Sequence, residues 1–469
     1  MNQADSQKVV MVLMQSGCTR TPHVEEADFA IFNTCSVRQK GEDRVFGFLQ
    51  KVKEAGEKRG RPILAGLTGC MVRKTGLRRD FHPAWKGREN TTKISLLDRA
   101  DAGSVYNEDD RLFAQTKTID FLFRIEETAA LPQLLTAMYG RHIGQDDKFQ
   151  DYLRIAQHRD NPSSADVIVQ TGCDNFCTFC IVPQTRGREI SRPLADVVEE
   201  VRQAVAGGAK EATLLGQNVN SYGKETKKAL WNSEELKWAS AEVRTPFREL
   251  LEAVGSVPGL DRIRFTSSNP HDMTRDILDA HFDVSACCNY LHFALQSGSD
   301  AVLKRMRRKH SVADFAAAVA YLRGRDPLFS VSTDIIVGFP GETEEEFQET
   351  VAVFRAIDFD NAFTARYSPR SGTAATLHLK DDVSADEKAR RWDVLNRELY
   401  ASIQRRNALM LGRTEAVLVS KVNEEGECSG RTRNFKDVFF AGAGKFKVGD
   451  LVPVKITERS DWVLKGEVV

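Results

Sequence analysis

Up to about residue 135, short apolar runs alternate with stretches of helical period. The run Asp28-Phe29-Ala30-Ile31-Phe32-Asn33 predicts a strand, and Ile63-Leu64-Ala65-Gly66-Leu67 predicts another. Ser6 can cap a helix through Lys8-Val9-Val10-Met11-Val12-Leu13-Met14, with Gly17 as its stop. A charged helix is expected from about Gln39 to Ala55. Such alternation implies a small parallel sheet with covering helices. Cys35 and Cys70 each fall just after one of the strands, where open α/β sheets place ligands. The polar stretch 86–115 predicts an irregular insertion, and 140–165 is polar too, with Asn161-Pro162-Ser163-Ser164 as a linker.

A strand over Asp166-Val167-Ile168-Val169-Gln170 then opens a second alternating region. Further strands are expected at Glu211–Leu215, Arg262–Phe265, Tyr290–Leu295 and Ser332–Val337, with 224–243 as a charged surface insertion. Repeated βα units of this kind predict a partial or full (β/α) barrel. From Thr414 the helical period is lost. Ala416–Val419 and Leu451–Ile456 read as strands broken by glycines, which predicts a small β-barrel. The expected fold class is α/β: a small parallel-sheet domain over 1–140, a linker over 141–165, a partial barrel over 166–401 and a β-barrel over 402–469.

Composition narrows the function classes. With 41% hydrophobic and 28% charged residues, the chain has the make-up of a soluble globular protein. No apolar run is long enough to span a bilayer, and the start lacks a signal-peptide pattern, so no membrane contact and a cytoplasmic location are expected. Nine cysteines in such a chain favour metal binding or redox chemistry over disulfides. A net charge of +0 gives no overall pull on nucleic acid, so any RNA contact must be a local patch. Lys304-Arg305-Met306-Arg307-Arg308-Lys309 is the densest basic run, with a solvated helix face as the competing reading. Arg431, Arg433 and Lys436 combine charge with the stacking face of Phe435, which suits RNA.

The strongest chemical signal is the triplet Cys173, Cys177 and Cys180, spaced C-x3-C-x2-C. A structural zinc site takes four protein ligands, and an ordinary cubane takes four cysteines. Three thiolates leave one iron of a 4Fe–4S cluster open to a substrate or cofactor. A zinc knuckle with a remote fourth ligand, or three unrelated thiols, are the plainer readings.

The triplet resembles the signature of radical S-adenosylmethionine (SAM) enzymes, with Phe179 before the last cysteine fitting the pattern. Nearly end to end, the chain resembles the methylthiotransferase family. The resemblance is carried by Asn33-Thr34-Cys35-Ser36-Val37-Arg38, Thr68-Gly69-Cys70-Met71 and Thr185-Arg186-Gly187-Arg188-Glu189. It continues through Leu215-Gly216-Gln217-Asn218-Val219, Gln296-Ser297-Gly298-Ser299-Asp300, Asp334–Thr343 and Tyr367-Ser368-Pro369-Arg370. The ending, with Gly430-Arg431-Thr432-Arg433-Asn434-Phe435, looks like an RNA-binding TRAM module. The branch it most resembles converts N6-isopentenyladenosine in tRNA to its 2-methylthio derivative. Close alternatives are a threonylcarbamoyl-adenosine in tRNA or a ribosomal protein as substrate.

The resemblance implies two 4Fe–4S clusters and SAM. Cys173, Cys177 and Cys180 would hold the cluster that binds SAM and delivers an electron. The resulting radical would abstract hydrogen from C2 of the adenine. A second cluster on Cys35, Cys70 and a third cysteine would supply sulfur, with a second SAM as methyl donor. That third cysteine is not matched. Met1-Asn2 followed by Asp5-Ser6 fits the tail of the family's first motif, so a clipped start is expected. Cys18 is the tempting substitute, but it sits at the far end of the first helix. An RNA-binding protein that cleaves SAM without transferring sulfur is the alternative class.

Gln217, Asn218, Ser267, Gln296 and Asp334 lie at or near the ends of expected strands and are candidates to line the SAM or substrate pocket. The resemblance also favours a SAM-side role for Phe339-Pro340-Gly341-Glu342 over a plain turn. Cys287 and Cys288 read as core or incidental thiols, and Cys428, beside polar residues of the terminal barrel, as incidental. The expected partners are tRNA and a reductant of unspecified identity, and the expected state is a monomer.

Overall fold

The computed structural model describes residues 1–34, 39–72, 119–139, 143, 151–159, 161–225, 244–442 and 444–469. The expected insertion at 86–115, all of the expected insertion 224–243 beyond residue 225, and Cys35 lie outside these residues. The chain divides into two compact units, one of 1–159 with 181–188 and the other of 160–180 with 189–469.

The first unit is built on a parallel sheet of β1 (Phe29–Thr34), β2 (Leu64–Gly69) and β3 (Phe121–Leu122), in that order. The helix Gln39–Lys58 buries Val45, Leu49 and Val52 against Ala65, Leu67 and Leu122. That is the i, i+4, i+7 stripe expected of a helix lying on a sheet. Packing is close: a Cβ on Gly66 would fall 2.2 Å from the Phe121 ring. The first helix runs Asn2–Gln15, longer than its capping pattern suggests. Ser6 is no cap. Its hydroxyl donates back to the Asn2 carbonyl inside the helix, and Met1 occupies the N-cap position.

In the second unit β4 (Ser164–Ile168), β7 (Glu211–Leu215) and β8 (Arg262–Phe265) form one parallel sheet. A second holds β9 (Tyr290–His292), β10 (Ser330–Val337) and β11 (Asn361–Arg366). Parallel bridges Ile263–Cys287 and Ser268–Phe293 join the two. The result is a six-stranded partial barrel in the order β4-β7-β8-β9-β10-β11, with helices between the strands. Val167, Leu214, Ile263, Leu291, Val331 and Ile335 are wholly buried in its core. The expected linker Asn161–Ser164 is in part a correction: Ser164 opens β4, and the Ser163 carbonyl accepts the N–H of Lys210. Polar composition there reflects a strand entrance.

A short antiparallel ladder of β5 (Gln170–Thr171) and β6 (Ile190–Ser191) ties together the chain entering and leaving the cysteine loop. The chain ends in a closed barrel of β12 (Thr414–Val422), β13 (Glu427–Arg431), β14 (Asp437–Ala441), β16 (Leu464–Val468) and β15 (Leu451–Arg459), in that spatial order. Alternate residues Val452, Val454 and Ile456 of β15 point inward, joined by Val417, Val419, Phe440 and Leu464. Cys428 is one of these core residues, not a polar-side thiol.

Candidate radical site and its supports

The loop carrying Cys173, Cys177 and Cys180 leaves the carboxyl end of β4 through β5. It needs left-handed backbone at Gly172 and at Phe176, the latter with φ 48°. Thr178 pins it in place. Its N–H donates to the Met306 carbonyl at 3.1 Å, its hydroxyl to the Arg305 carbonyl at 3.0 Å, and its carbonyl accepts from Ala375 N–H at 2.7 Å. Phe179 packs edge-on against Phe339, which packs in turn on Tyr367. The motifs at 339 and 367 thus touch the cysteine loop through one aromatic chain. Glu342 is turned inward. Its buried carboxylate accepts the Gly338 N–H and pairs with Arg391 at 2.8 Å, so it holds the 338–342 turn.

Burial pushes the Cys173 thiol well up, and the neighbouring Cys180, Glu189 and Cys177 charges add to it, against the Asn175 backbone N–H. A bound cation reverses such a shift by deprotonating the thiol it holds. Arg308 donates to Cys177 Sγ at 3.7 Å and to the Ala294 carbonyl at 2.7 Å. Among the described residues no three His, Cys, Asp or Glu side chains converge on one point.

Around the mouth of the partial barrel the candidates fall into two groups. Asn218, following β7, donates to Asp272 Oδ2 at 2.7 Å, and Asn175 of the cysteine loop approaches the same oxygen at 3.4 Å. Lys224 pairs with the other Asp272 oxygen at 3.2 Å. Gln217 Oε1 and Asn218 Oδ1 are buried acceptors with no partner among the described residues. Glu189 belongs to this neighbourhood. Burial and the Asp272 charge lift its carboxyl from its ordinary 4.5 to about 8, against Lys224 and the Gln170 amide.

In the second group, the Ser267 N–H donates to His292 Nδ1 at 3.0 Å. The ring proton therefore sits on Nε2, facing Asp334 Oδ2 at 3.3 Å. Ser267 and Gln296 hold φ of 66° and 76°, strained for side-chain-bearing residues. Asp334 lies within β10 rather than at its end, with its side chain 37% exposed. Asp272 and His292 carried no motif that singled them out, and Arg308 stood out only as part of the basic run.

The basic run is more than a helix face. Lys304, Arg307, Arg308 and Lys309 line a cavity of about 810 Å³ together with Asp174, Asn175 and Phe176 of the cysteine loop. Arg305 is spent on Glu346 and the Gly341 carbonyl.

In the terminal barrel, packing engages three of the four groups expected to face RNA. Arg433 donates to the carbonyls of Asp261, Ser285 and Cys287. Phe435 stacks on Tyr290 with ring centroids 4.3 Å apart, and Lys436 pairs with buried Asp360 at 2.8 Å. These three groups face the amino ends of the core strands. Arg262 and Arg264, buried in β8, reach back to the carbonyls of Arg431, Ala416, Arg433 and Thr432. Of the four candidates, Arg431 keeps a largely exposed side chain, paired with Asp437 at 2.8 Å.

In the first unit, Cys70 directly follows β2 and is buried, its N–H donating to the Thr34 carbonyl at 2.9 Å. The pairing Thr34–Gly69 brings the carboxyl ends of β1 and β2 level. Asn2, at the start of the first helix, also donates to the Thr34 carbonyl. Cys18 stands beyond the other end of this 14-residue helix. Such a helix is about 21 Å long, which sets Cys18 apart from Cys70.

Three family models match consecutive parts of the chain: an uncharacterised protein family, UPF0004, over 1–81, the radical SAM superfamily over 167–354, and the TRAM domain over 408–469. Full-length relatives are named tRNA-2-methylthio-N(6)-dimethylallyladenosine synthase. That of Clostridium novyi is 36% identical, over all of this chain and 94% of its own length. Those of Aromatoleum aromaticum (35%, 96% of its length) and Protochlamydia amoebophila (36%, 94%) also match the whole chain. Among solved structures, the radical SAM methyltransferase TsrM of Kitasatospora setae is far more distant. It has a TM-score of 0.44 and 13% identity over 73% of this chain and 63% of that one.

Proposed function

This chain belongs to the radical-SAM tRNA methylthiotransferases, and from that premise we propose how its residues divide the work. The reaction is transfer of a methylthio group to the adenine of N6-dimethylallyladenosine in tRNA. Cys173, Cys177 and Cys180 would hold a 4Fe–4S cluster. When bound, that cluster supplies the electron for reductive cleavage of SAM, giving the radical needed to attack an unactivated C–H bond.

The protein's own part is positioning. Thr178 and the Phe179–Phe339–Tyr367 chain fix the loop, and Arg308 donates to Cys177 Sγ. Gln217 and Asn218 offer unspent acceptors beside the loop, suited to the donors of SAM or of the adenine. Ser267, Gln296 and Asp334 complete the proposed pocket wall. The basic cavity beside the loop suits the tRNA backbone. Arg431 is the remaining barrel contact for RNA. Cys70 and Cys35 are the proposed ligands of the second cluster, and Cys18 is not one. We further propose a monomer, served by an external one-electron reductant in the cytoplasm. No helix among the described residues is long and apolar enough to cross a membrane.

The carrying observation is the three-cysteine loop, locked by Thr178 at the mouth of the partial barrel, within full-length likeness to these synthases. The test is anaerobic turnover with SAM, reductant and tRNA bearing dimethylallyladenosine, read by mass spectrometry. Both 5′-deoxyadenosine and the 2-methylthio nucleoside are expected. Activity confined to threonylcarbamoyl-adenosine or to a ribosomal protein would reassign the substrate. SAM cleavage without any methylthio product would favour an enzyme that stops before sulfur transfer.

A further inference from the structure

The first unit holds a guanidinium that has not spent its donors. Arg186 is 4% exposed. Its Nη2 bonds Asp5 Oδ2 at 2.5 Å and lies 3.5 Å from Asn2 Oδ1. Asp5 is completely buried and also accepts the hydroxyl of Tyr152. This fixes one edge of the guanidinium. The other donors, Nε and Nη1, are buried with no partner among the described residues. A buried donor left unsatisfied is costly, so two on one side chain call for an acceptor.

A short run of hydrogen bonds leads from Arg186 towards Cys70. Asn2 Nδ2 and the Cys70 N–H converge on the same Thr34 carbonyl oxygen, at 3.0 and 2.9 Å. Asn2 therefore links Arg186 to the Thr34 carbonyl, which also holds the Cys70 N–H. Gly69 holds φ +90°, and a Cβ there would meet the Thr34 carbonyl at 2.4 Å, so the turn presses Cys70 close against Thr34.

We propose that Arg186 is a positioning residue for a sulfur-borne anion at Cys70, donating through Nε and Nη1 to a thiolate or sulfide of the second cluster. The proposal rests on the reading of Cys70 as a ligand of that cluster and deepens it. Donors to cluster sulfurs stabilise the reduced, more negative form and raise the potential. Outer partners of this kind typically contribute 10- to 100-fold in metal affinity. A lysine at 186 keeps the charge and the Asp5 pair but lacks the second edge.

The test uses the full chain with Cys173, Cys177 and Cys180 replaced by alanine, reconstituted anaerobically with iron and sulfide. This parent should bind one cluster, about four irons per chain. Arg186→Lys should weaken cluster binding about 10- to 100-fold, and EPR-monitored titration should show reduction at a more negative potential. Asp5→Asn with Arg186→Gln removes both buried charges together and should show the same losses while keeping a cooperative melt. Either variant loading and titrating like its parent overturns the proposal. A parent that binds no iron overturns the second-cluster reading itself, an outcome seen before Arg186 is changed.

Discussion

The two ends of the same six strands are finished differently. At the amino ends, charge and aromatic surface are matched across the contact with the terminal barrel. Arg262, Arg264 and Arg433 each meet backbone carbonyls, and Asp360 gathers Lys436, Arg406 and Arg323. At the carboxyl ends the backbone is strained at Ser267 and Gln296, and Gln217 and Asn218 keep buried acceptors unspent. Matched groups at one end hold domains together. Strain and unspent polarity at the other end are retained where a ligand completes the bonding. Composition alone cannot separate them, because arginine and phenylalanine serve both.

The sharpest break of the comparison comes from the cysteine loop. Alanine at Cys173, Cys177 or Cys180 should reduce 5′-deoxyadenosine formation to background, while the thermal melt of the unloaded protein moves little. A variant retaining measurable SAM cleavage would remove the radical role from this end. At the opposite end, Asp360→Ala leaves three cations without their buried carboxylate. It should cost about 3–5 kcal/mol, seen as a lower denaturant midpoint. The surviving folded fraction should cleave SAM normally. A loss of cleavage without loss of stability would mean the two ends are not separable in this way.

Much of this was legible in the chain itself. The strands Glu211–Leu215 and Arg262–Phe265 match their apolar runs residue for residue. The cysteine triplet announces its chemistry through spacing. The pairing of Arg186 with Asp5 was not legible, since the partners are 181 residues apart and neither sits in a periodic pattern. Lys436 and Phe435 misled for a related reason. Cation and aromatic together read as an RNA platform, and only the fold shows that Asp360 and Tyr290 already occupy them. The helix start at Asn2 was missed because Ser6 resembles a cap while its hydroxyl bonds back within the helix.

Glu189 sharpens the contrast through pH. Its carboxyl is held protonated in the fold up to about pH 8, against an ordinary value of 4.5. Between these values the unfolded chain has lost the proton and the fold retains it, so stability falls as pH rises through that window. The loss should be on the order of a few kcal/mol by pH 8. Glu189→Gln should flatten the slope of denaturant stability against pH between about 4.5 and 8. An unchanged slope would show that this carboxyl is not strained by its site.

Two basic surfaces separate at the smallest scale. Alanine at Lys304 and Lys309, in the cavity beside the cysteine loop, should weaken tRNA binding about tenfold. The salt dependence of binding should also fall, by about one unit for each phosphate no longer neutralised. Phe435→Leu at the other end removes the stack on Tyr290. It should cost about 1 kcal/mol of stability, with tRNA affinity unchanged. If Phe435 instead served as a platform for a base, the pattern would invert: stability would hold and affinity would drop by about 1–3 kcal/mol. The stack makes the first outcome the expected one, because a ring already 4.3 Å from Tyr290 and covered by the guanidiniums of Arg264 and Arg431 has no open face for a base.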